Sequence, residues 1–595
     1  MVKHLEAIDI LKQYYGYNKF RPGQKEIITS IMNQKDTLAI MPTGSGKSLC
    51  FQIPALMFEG KSIVISPLIS LMKDQVDSLK AMDIKASFIN SSLPYEEIYE
   101  RTVDFINDRY KILYLAPERL STFGFSEEIY STNISQIAVD EAHCVSEWGH
   151  DFRPSYKNIG EFVKQFRKRP VVSAFTATAT KNVRKDIQFL LELDHPDIFN
   201  LGLKRENIYI EVLKEINKRK FIVDLIEKRR DDAGIIYCAT RKSVEEYYVY
   251  LSKRGYNIGK YHGGMDALDR KEMQDAFIHE DINLMIATNA FGMGIDKPNI
   301  RYIVHLNMPK TIEAYYQEIG RAGRDGEPSQ AYMLYSEADR NIQRFLIEKS
   351  ELTEDRAIVA NRKLQDMTNF CHTHDCLWQY ISEYFNEDSE KKCNNCFNCL
   401  NKNIRQYDIT IEAQKILSCV YRMKQSYGAS TVAKVLKGSH STRLKQKGFE
   451  HLSTFGIMNN LKEKEIRDLI NFLAAENLLN ISHGMYPMLG LNDNSWKVLR
   501  GQQKVIRKTS EIFIADKEPN EDLFMLLRKL RKKISETENV PPYVVFPDYT
   551  LKEMSLIKPV KAEDMLKIKG VGEKKLEKYG TRFIEEIKIY EGIND

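Results

Sequence analysis

No stretch of about 18 consecutive apolar residues occurs in this chain, so no membrane-spanning helix is expected. The opening MVKHLEAIDILKQYYGY mixes charge with apolar positions at helical spacing, and it has neither the apolar block nor the small-residue cleavage site of a secretion signal. A cytoplasmic protein is expected, associated with the nucleoid in a bacterium or placed in the nucleus in a eukaryote. Low-complexity tracts and short-period repeats are missing as well. With 43% hydrophobic and 28% charged residues, the composition excludes intrinsic disorder and collagen-like structure. A large excess of one charge sign is also missing. Lys plus Arg number 87 and Asp plus Glu 82, and a net +5 is too small to prove a nucleic-acid partner. Cysteine is sparse, but five of the nine fall between Cys371 and Cys399. Such clustering without a secretion signal suggests a metal before disulfides.

The 595 residues suggest several domains, at roughly 150 residues each. Short apolar runs alternate with helical patterns over the first half: TLAIM, SIVIS, ILYLA, QIAVD and PVVSAF, then GIIYC, LMIAT and YIVHL. Apolar strands separated by helices predict parallel sheets covered on both faces, and two such series predict two tandem α/β domains. The pattern then turns helical, then Cys-rich, then basic. From Ile404 to Lys508 there are 17 Lys/Arg against 8 Asp/Glu, which leaves the rest of the chain slightly acidic. That local excess is the footprint expected of a phosphate-binding module.

Met41-Pro-Thr-Gly-Ser-Gly-Lys-Ser48 follows the strand TLAIM and precedes a helical pattern. Thr43, Gly44, Ser45 and Gly46 let backbone N–H groups turn inward around phosphate. Lys47 reaches the terminal phosphates and Ser48 can ligate Mg²⁺. Met41 stands where the P-loop pattern has its first glycine. Val139-Asp-Glu-Ala-His-Cys144 ends a second strand, placing Asp140 to hold Mg²⁺ and Glu141 to polarise an attacking water. The pair predicts an ATP hydrolase.

On these motifs the sequence resembles the RecQ family of superfamily 2 helicases, over nearly its whole length. Gly16-Tyr-Asn-Lys-Phe-Arg-Pro-Gly-Gln24 is similar to the family's adenine-recognition motif, with Tyr17 to stack on the base, Gln24 to pair its edge and Arg21 to assist. Ser66 to Gln75 and Phe175-Thr-Ala-Thr-Ala-Thr180 resemble motifs Ia and III. Tyr237-Cys-Ala-Thr-Arg-Lys242, Tyr261-His-Gly-Gly-Met265, Ala287 to Asp296 and Gln317-Glu-Ile-Gly-Arg-Ala-Gly-Arg-Asp-Gly326 resemble motifs IV to VI in family order. Arg321 and Arg324 are three residues apart, so one helical face is expected to aim both at a phosphate as arginine fingers. Thr240, Arg241, Gly264 and Thr288 are candidate strand contacts. Cys144 to Tyr156 resembles the family's aromatic-rich loop, in which Trp148 and Phe152 stack on bases and Arg153 adds charge.

Cys376-x16-Cys393-x2-Cys396-x2-Cys399 has zinc spacing. His372, His374 and Cys371 compete for the upstream position, and the resemblance favours Cys376. Four thiolates leave no open position, so a structural zinc is expected. Helical segments up to Leu479 and a short turn around His483 and Gly484 resemble the RecQ C-terminal winged helix. The last unit, with 15 Lys/Arg and 14 Asp/Glu from Asn520 onward, resembles an HRDC domain whose Gly-Val-Gly turn is expected to open its amides toward a phosphate.

The expected architecture is multidomain α/β: RecA-like parallel-sheet domains at 1–201 and 202–336, a helical zinc-binding subdomain at 337–403, a winged helix at 404–510 and a small helical HRDC domain at 520–595. The resemblance implies an ATP-dependent DNA helicase moving 3′ to 5′ on single-stranded DNA, with ATP, Mg²⁺ and Zn²⁺. It also implies single-stranded and forked or branched DNA as substrate, a single-stranded-DNA-binding protein as partner of the winged-helix region, and a monomer. Recombination and repair are the implied pathways, with replication and the SOS response.

Overall fold

The computed structural model describes residues 6–120, 129–147, 149, 152–214, 216–292, 297–350, 352–387, 391–400, 405–482, 487–509 and 522–592. Trp148, the turn around His483 and Gly484, and most of the segment joining the last two units lie outside the described residues.

The first sheet has seven parallel strands: β1 (Thr37–Ile40), β2 (Lys61–Ile65), β3 (Ala86–Ile89), β4 (Ile112–Leu115), β5 (Ile134–Val139), β6 (Val171–Thr176) and β7 (Asp197–Asn200). Their order is β3-β4-β2-β5-β6-β1-β7. The central strands are buried end to end, as their continuous apolar runs require. The P-loop and the Asp140–Glu141 pair follow β1 and β5, so both emerge at the carboxyl ends of strands. Open parallel sheets bind ligands on that edge.

The second sheet has six parallel strands: β8 (Ile208–Lys214), β9 (Ala233–Tyr237), β10 (Ile258–Tyr261), β11 (Leu284–Ala287), β12 (Ile300–His305) and β13 (Ser329–Tyr335), ordered β10-β11-β9-β12-β13-β8. Thr240, Gly264 and Thr288 follow β9, β10 and β11, which are neighbours, so the three candidate strand contacts share one edge.

Helices Glu354–His372 and Leu377–Tyr384 pack on this second sheet through Phe370, Trp378 and Ile381, and its core continues without a break into the cysteine cluster. The basic unit has its own core, built on helices Thr410–Arg422, Ala429–Lys437 and Glu463–Ala475. Its two ends are joined by an antiparallel pair, Arg405–Asp408 with Ile506–Thr509. A two-residue pair, Asn480–Ile481 with Leu489–Gly490, forms the base of the short wing. The last unit is helical around Leu527, Phe546, Leu551 and Phe583. Among the described residues no helix is long and apolar enough to cross a membrane.

Candidate active site and metal centre

The P-loop turns from β1 into helix Lys47–Met57 through Gly44 and Gly46, both at positive φ. Gly46 has φ +83°, and a Cβ there would lie 2.5 Å from Gln24 Nε2, so no other residue fits without moving that amide. The loop opens onto a cavity of ≈ 620 Å³. Tyr17, Arg21, Gln24, Thr43, Gly44, Gly46, Lys47, Ser48, Asp140 and Glu141 line it from the first domain, and Arg321 and Arg324 from the second. Ser45 holds the turn through its hydroxyl, which donates to Pro42 O at 2.6 Å.

Lys47 Nζ lies 3.3 Å from Glu141 Oε1. Burial and the neighbouring Glu141 charge push the Asp140 carboxyl up to about 6, against the pull of Lys47. Burial also opposes ionisation of Glu141, yet Lys47 and His143 hold its carboxyl well below the usual range. Asp140 and Glu141 are adjacent, half-buried carboxylates facing one lysine, a set short of positive charge that could hold a divalent cation together with Ser48. Glu141 sits at φ +47°, a strained conformation for a non-glycine residue. His143 Nδ1 lies 3.3 Å from Glu141 Oε2 and 3.0 Å from Thr176 Oγ1. The acidic motif and the Thr-rich motif therefore share one polar chain.

Gln24 is buried, and its amide Nε2 donates to Ser45 O at 2.9 Å and Gly46 O at 3.3 Å. Its Oε1 accepts from Arg21 N at 2.9 Å. In this structure the amide expected to read adenine supports the P-loop instead. Arg21 donates to Gly44 O.

The two arginines do not share a helical face. Helix Ile312–Ile319 ends before them, and both lie on the turns that follow, with Gly323 at positive φ. At the helix end the first domain packs closely: Thr43 Oγ1 donates to Gly320 O at 3.0 Å, and a Cβ on Gly320 would fall 1.9 Å from the Thr43 hydroxyl oxygen. Arg321 is held within its own domain by a bond to Gly292 O, while the stem of Arg324 packs on Gly44.

Arg205 was not singled out from sequence. It is nearly buried and donates to Thr43 O across the interface, to Gly323 O at 2.7 Å and to Ala322 O at 3.2 Å. Burial lowers its guanidinium to about 10, which still leaves it charged near neutrality. Its position between the two strand series was the available signal.

The four sulfurs of Cys376, Cys393, Cys396 and Cys399 converge within 4.8 Å of one another. Cys393 and Cys399 are 3.9 Å apart, close to the roughly 3.8 Å separation that tetrahedral Zn–S bonds of about 2.3 Å require. Backbone N–H groups of Cys393 and Gln379 donate to Cys376 Sγ at 3.3 and 3.4 Å, as suits thiolate charge. The rival ligands are placed elsewhere. His372 faces Glu337 and Asp468, the His374 ring packs on Phe472, and Cys371 lies against Met333.

Family comparisons cover the chain segment by segment. The matches are DEAD/DEAH box helicase over 21–186, helicase conserved C-terminal domain over 217–326, RecQ zinc-binding over 337–400, RQC domain over 403–513 and HRDC domain over 520–587. The chain is 45% identical over 590 residues to the ATP-dependent DNA helicase RecQ of Bacillus subtilis, covering 99% of both. It is 38% identical over 604 residues to the RecQ helicase of Haemophilus influenzae, covering 99% of this chain and 96% of that one. This chain belongs to the RecQ family of ATP-dependent DNA helicases.

The Cys376–Cys399 cluster is accordingly the zinc-binding site of a RecQ helicase. It is stapled to the second helicase domain, because Trp378 Nε1 donates to Ile208 O at 3.2 Å and Asn395 Nδ2 to Glu206 O at 2.6 Å. In the RecQ aromatic-rich loop, Arg153 donates to Pro67 O at 2.7 Å and ties the loop to motif Ia. The Phe152 ring carries Lys157 and Arg356 at 5.2 and 5.0 Å. Arg356 also pairs with Glu147 at 3.1 Å, so the zinc-unit helix holds this loop from the far side. Thr240 caps helix Arg241–Ser252 by accepting from Ser243 N at 3.2 Å. The Arg241 guanidinium lies over Gly264, whose missing side chain leaves that approach open. Thr288 is nearly buried beside them.

Proposed function

We propose that this RecQ helicase moves 3′ to 5′ along single-stranded DNA and opens forked or branched duplexes by closing and opening the cleft between its two helicase domains. The observation that carries this reading is the shared cavity, with Lys47, Asp140 and Glu141 on one wall and Arg321 and Arg324 on the other. ATP bound there joins the domains, and release of the phosphate cleaved by hydrolysis removes charge that holds them.

In this proposal the P-loop amides of Thr43, Gly44, Ser45 and Gly46 cradle phosphate and Lys47 pairs with its terminal oxygens. Ser48 and Asp140 hold Mg²⁺, which when bound neutralises charge on the transferred phosphoryl group. Glu141 orients the attacking water, supported by His143. Tyr17 stacks on the base beside Arg21, and Gln24 turns from the P-loop carbonyls to the adenine edge. Arg321 and Arg324 stabilise developing charge, a contribution worth about 10³-fold or more in rate.

The strand path runs from Arg153, Phe152 and Trp148 to Thr240, Arg241, Gly264 and Thr288. The bond from Arg153 to Pro67 and the bridge from His143 to Thr176 support coupling between this path and the nucleotide. The enzyme acts as a monomer in the cytoplasm, with a single-stranded-DNA-binding protein docking on the winged-helix region. Unwinding of 3′-tailed, 5′-tailed and forked duplexes, with and without Mg²⁺ and ATP, tests the proposal. Efficient opening of 5′-tailed duplexes alone would reverse the polarity.

A further inference from the structure

The terminal helical unit does not stand apart from the motor. It lies across both helicase domains at the rim of the nucleotide cavity, and Lys567 and Lys569 are among the residues lining that cavity. The Gly570-Val571-Gly572 turn, expected from sequence to open toward a phosphate, packs instead on Gly16. The backbones meet so closely that a Cβ on Gly572 would lie 3.1 Å from Gly16 Cα. Tyr549 Oη is 3.3 Å from Tyr17 Oη, the hydroxyl of the ring expected to stack on the base. Lys574 pairs with Asp83 at 3.2 Å.

Against the second domain the attachment is ionic and buried. Arg531 bonds Asp548 at 2.7 Å within its own unit and Glu280 at 3.2 Å across the interface. Lys297 and Arg528 reach Glu280 at 3.5 and 4.0 Å, and Asn299 donates to it at 2.8 Å. Lys552 pairs with Glu327. Glu280 carries a backbone φ of +64°, a conformation that disfavours side chains, yet it is the residue the interface is built around. Parting these surfaces would leave the buried Glu280 charge without Arg531 and Arg528, which is costly.

We propose that the HRDC unit supplies a third wall of the nucleotide site, with Lys569 binding the anionic part of ATP and Tyr549 positioning Tyr17. The two lysines differ. Lys567 is already paired to Asp564 at 2.7 Å, whereas the Lys569 ammonium has no ion pair among the described residues, although its backbone N–H donates to Glu553 Oε2 at 3.0 Å. Its ammonium rests 5.0 Å from the centre of the Tyr549 ring, so one short segment carries both roles. Because the unit holds both helicase domains, nucleotide that brings the domains together favours docking, and docking raises nucleotide affinity by the same factor.

The test uses the full chain with ATP. Lys569→Ala and Tyr549→Phe are expected to raise KM for ATP about three- to fivefold, the scale of one exposed ionic contact, with kcat within about twofold. Lys561→Ala, an exposed charge of the same unit outside the cavity, is expected to leave both unchanged. Bound ATPγS is expected to protect Lys569 from acetylation and to leave Lys561 reactive. Folding of each variant is checked by melting temperature and zinc content. An unchanged KM in folded Lys569→Ala, together with full acetylation of Lys569 under saturating ATPγS, overturns the proposal. It rests on ATP lying in this cavity, and turnover that survived Lys47→Ala would overturn that placement instead.

Discussion

The zinc centre and the nucleotide cavity are built in opposite ways. Four cysteines from one short stretch close around a point, with backbone amides already donating to their sulfurs. The nucleotide cavity takes residues from both helicase domains and from the terminal unit, and the two helicase domains are tied across it by hydrogen bonds such as Thr43 to Gly320 and Arg205 to Thr43. A centre whose task is to hold shape gains from local, closed coordination, because metal binding then contributes directly to folding. A site that must cycle cannot be closed in that way. In the proposed cycle its walls separate, and the single hydrogen bonds between the two helicase domains are weak enough to break in a turnover.

The contrast is broken first at the metal. Cys396→Ser is expected to abolish zinc binding and collapse the unit, since binding free energies of about 10–16 kcal/mol at structural zinc sites count toward folding. Elemental analysis and thermal melting check it. Retained zinc in a folded variant would mean that the four thiolates are not the ligand set.

Lys47→Ala strikes the other site. ATP turnover is expected to fall at least about a hundredfold, comparable to losing one preorganised charge-stabilising donor, with zinc content and melting temperature unchanged. Steady-state ATPase and elemental analysis on one preparation separate the two regions.

Arg205→Ala sharpens the comparison at the tie between domains. Hydrogen bonds to charged groups contribute about 1.5–3 kcal/mol, so DNA-stimulated turnover is expected to fall roughly 10- to 100-fold. Arg205→Lys should recover little, because an ammonium cannot span Thr43, Ala322 and Gly323 as the guanidinium fork does. Equal turnover in both variants and the parent would remove Arg205 from the coupling.

The smallest effect concerns Glu211 on β8, beside the zinc unit. Burial pushes its carboxyl up to about 8, although a hydrogen bond from Tyr209 at 3.0 Å opposes this. The folded state therefore keeps a proton that the unfolded chain has released above its ordinary carboxyl range near pH 4.5. Stability from this group is full below that range and is lost as pH rises toward 8. Glu211→Gln, neutral at every pH, should match the parent near pH 5 and melt a few degrees higher at pH 8.5. Identical melting curves at both pH values would show that the carboxyl is not held protonated.

Much of the chain was legible before folding. Apolar runs such as ILYLA and YIVHL mark fully buried strands because parallel sheets bury both faces. Strands β3, β7, β8, β10 and β13 were not marked, because their segments carry Ser, Lys, Asp, Glu or Gln whose exposure or pairing is set by neighbours far along the chain. The P-loop, the acidic pair and the four cysteines were also readable, since each chemistry needs its residues close together in sequence. Sequence by itself determined which residues could bind phosphate, cation and zinc. Only the tertiary structure decided that Arg321 and Arg324 lie on turns, that Arg205 ties two domains, that Gln24 supports the P-loop, and that the HRDC unit walls the nucleotide cavity. The physical reason is that these features are contacts between segments that the chain itself keeps apart, from 21 residues for Gln24 and the P-loop to 162 for Arg205 and Thr43, and more for the HRDC unit. Their partners are mostly backbone carbonyls or close approaches of glycine, which leave no pattern in side-chain spacing.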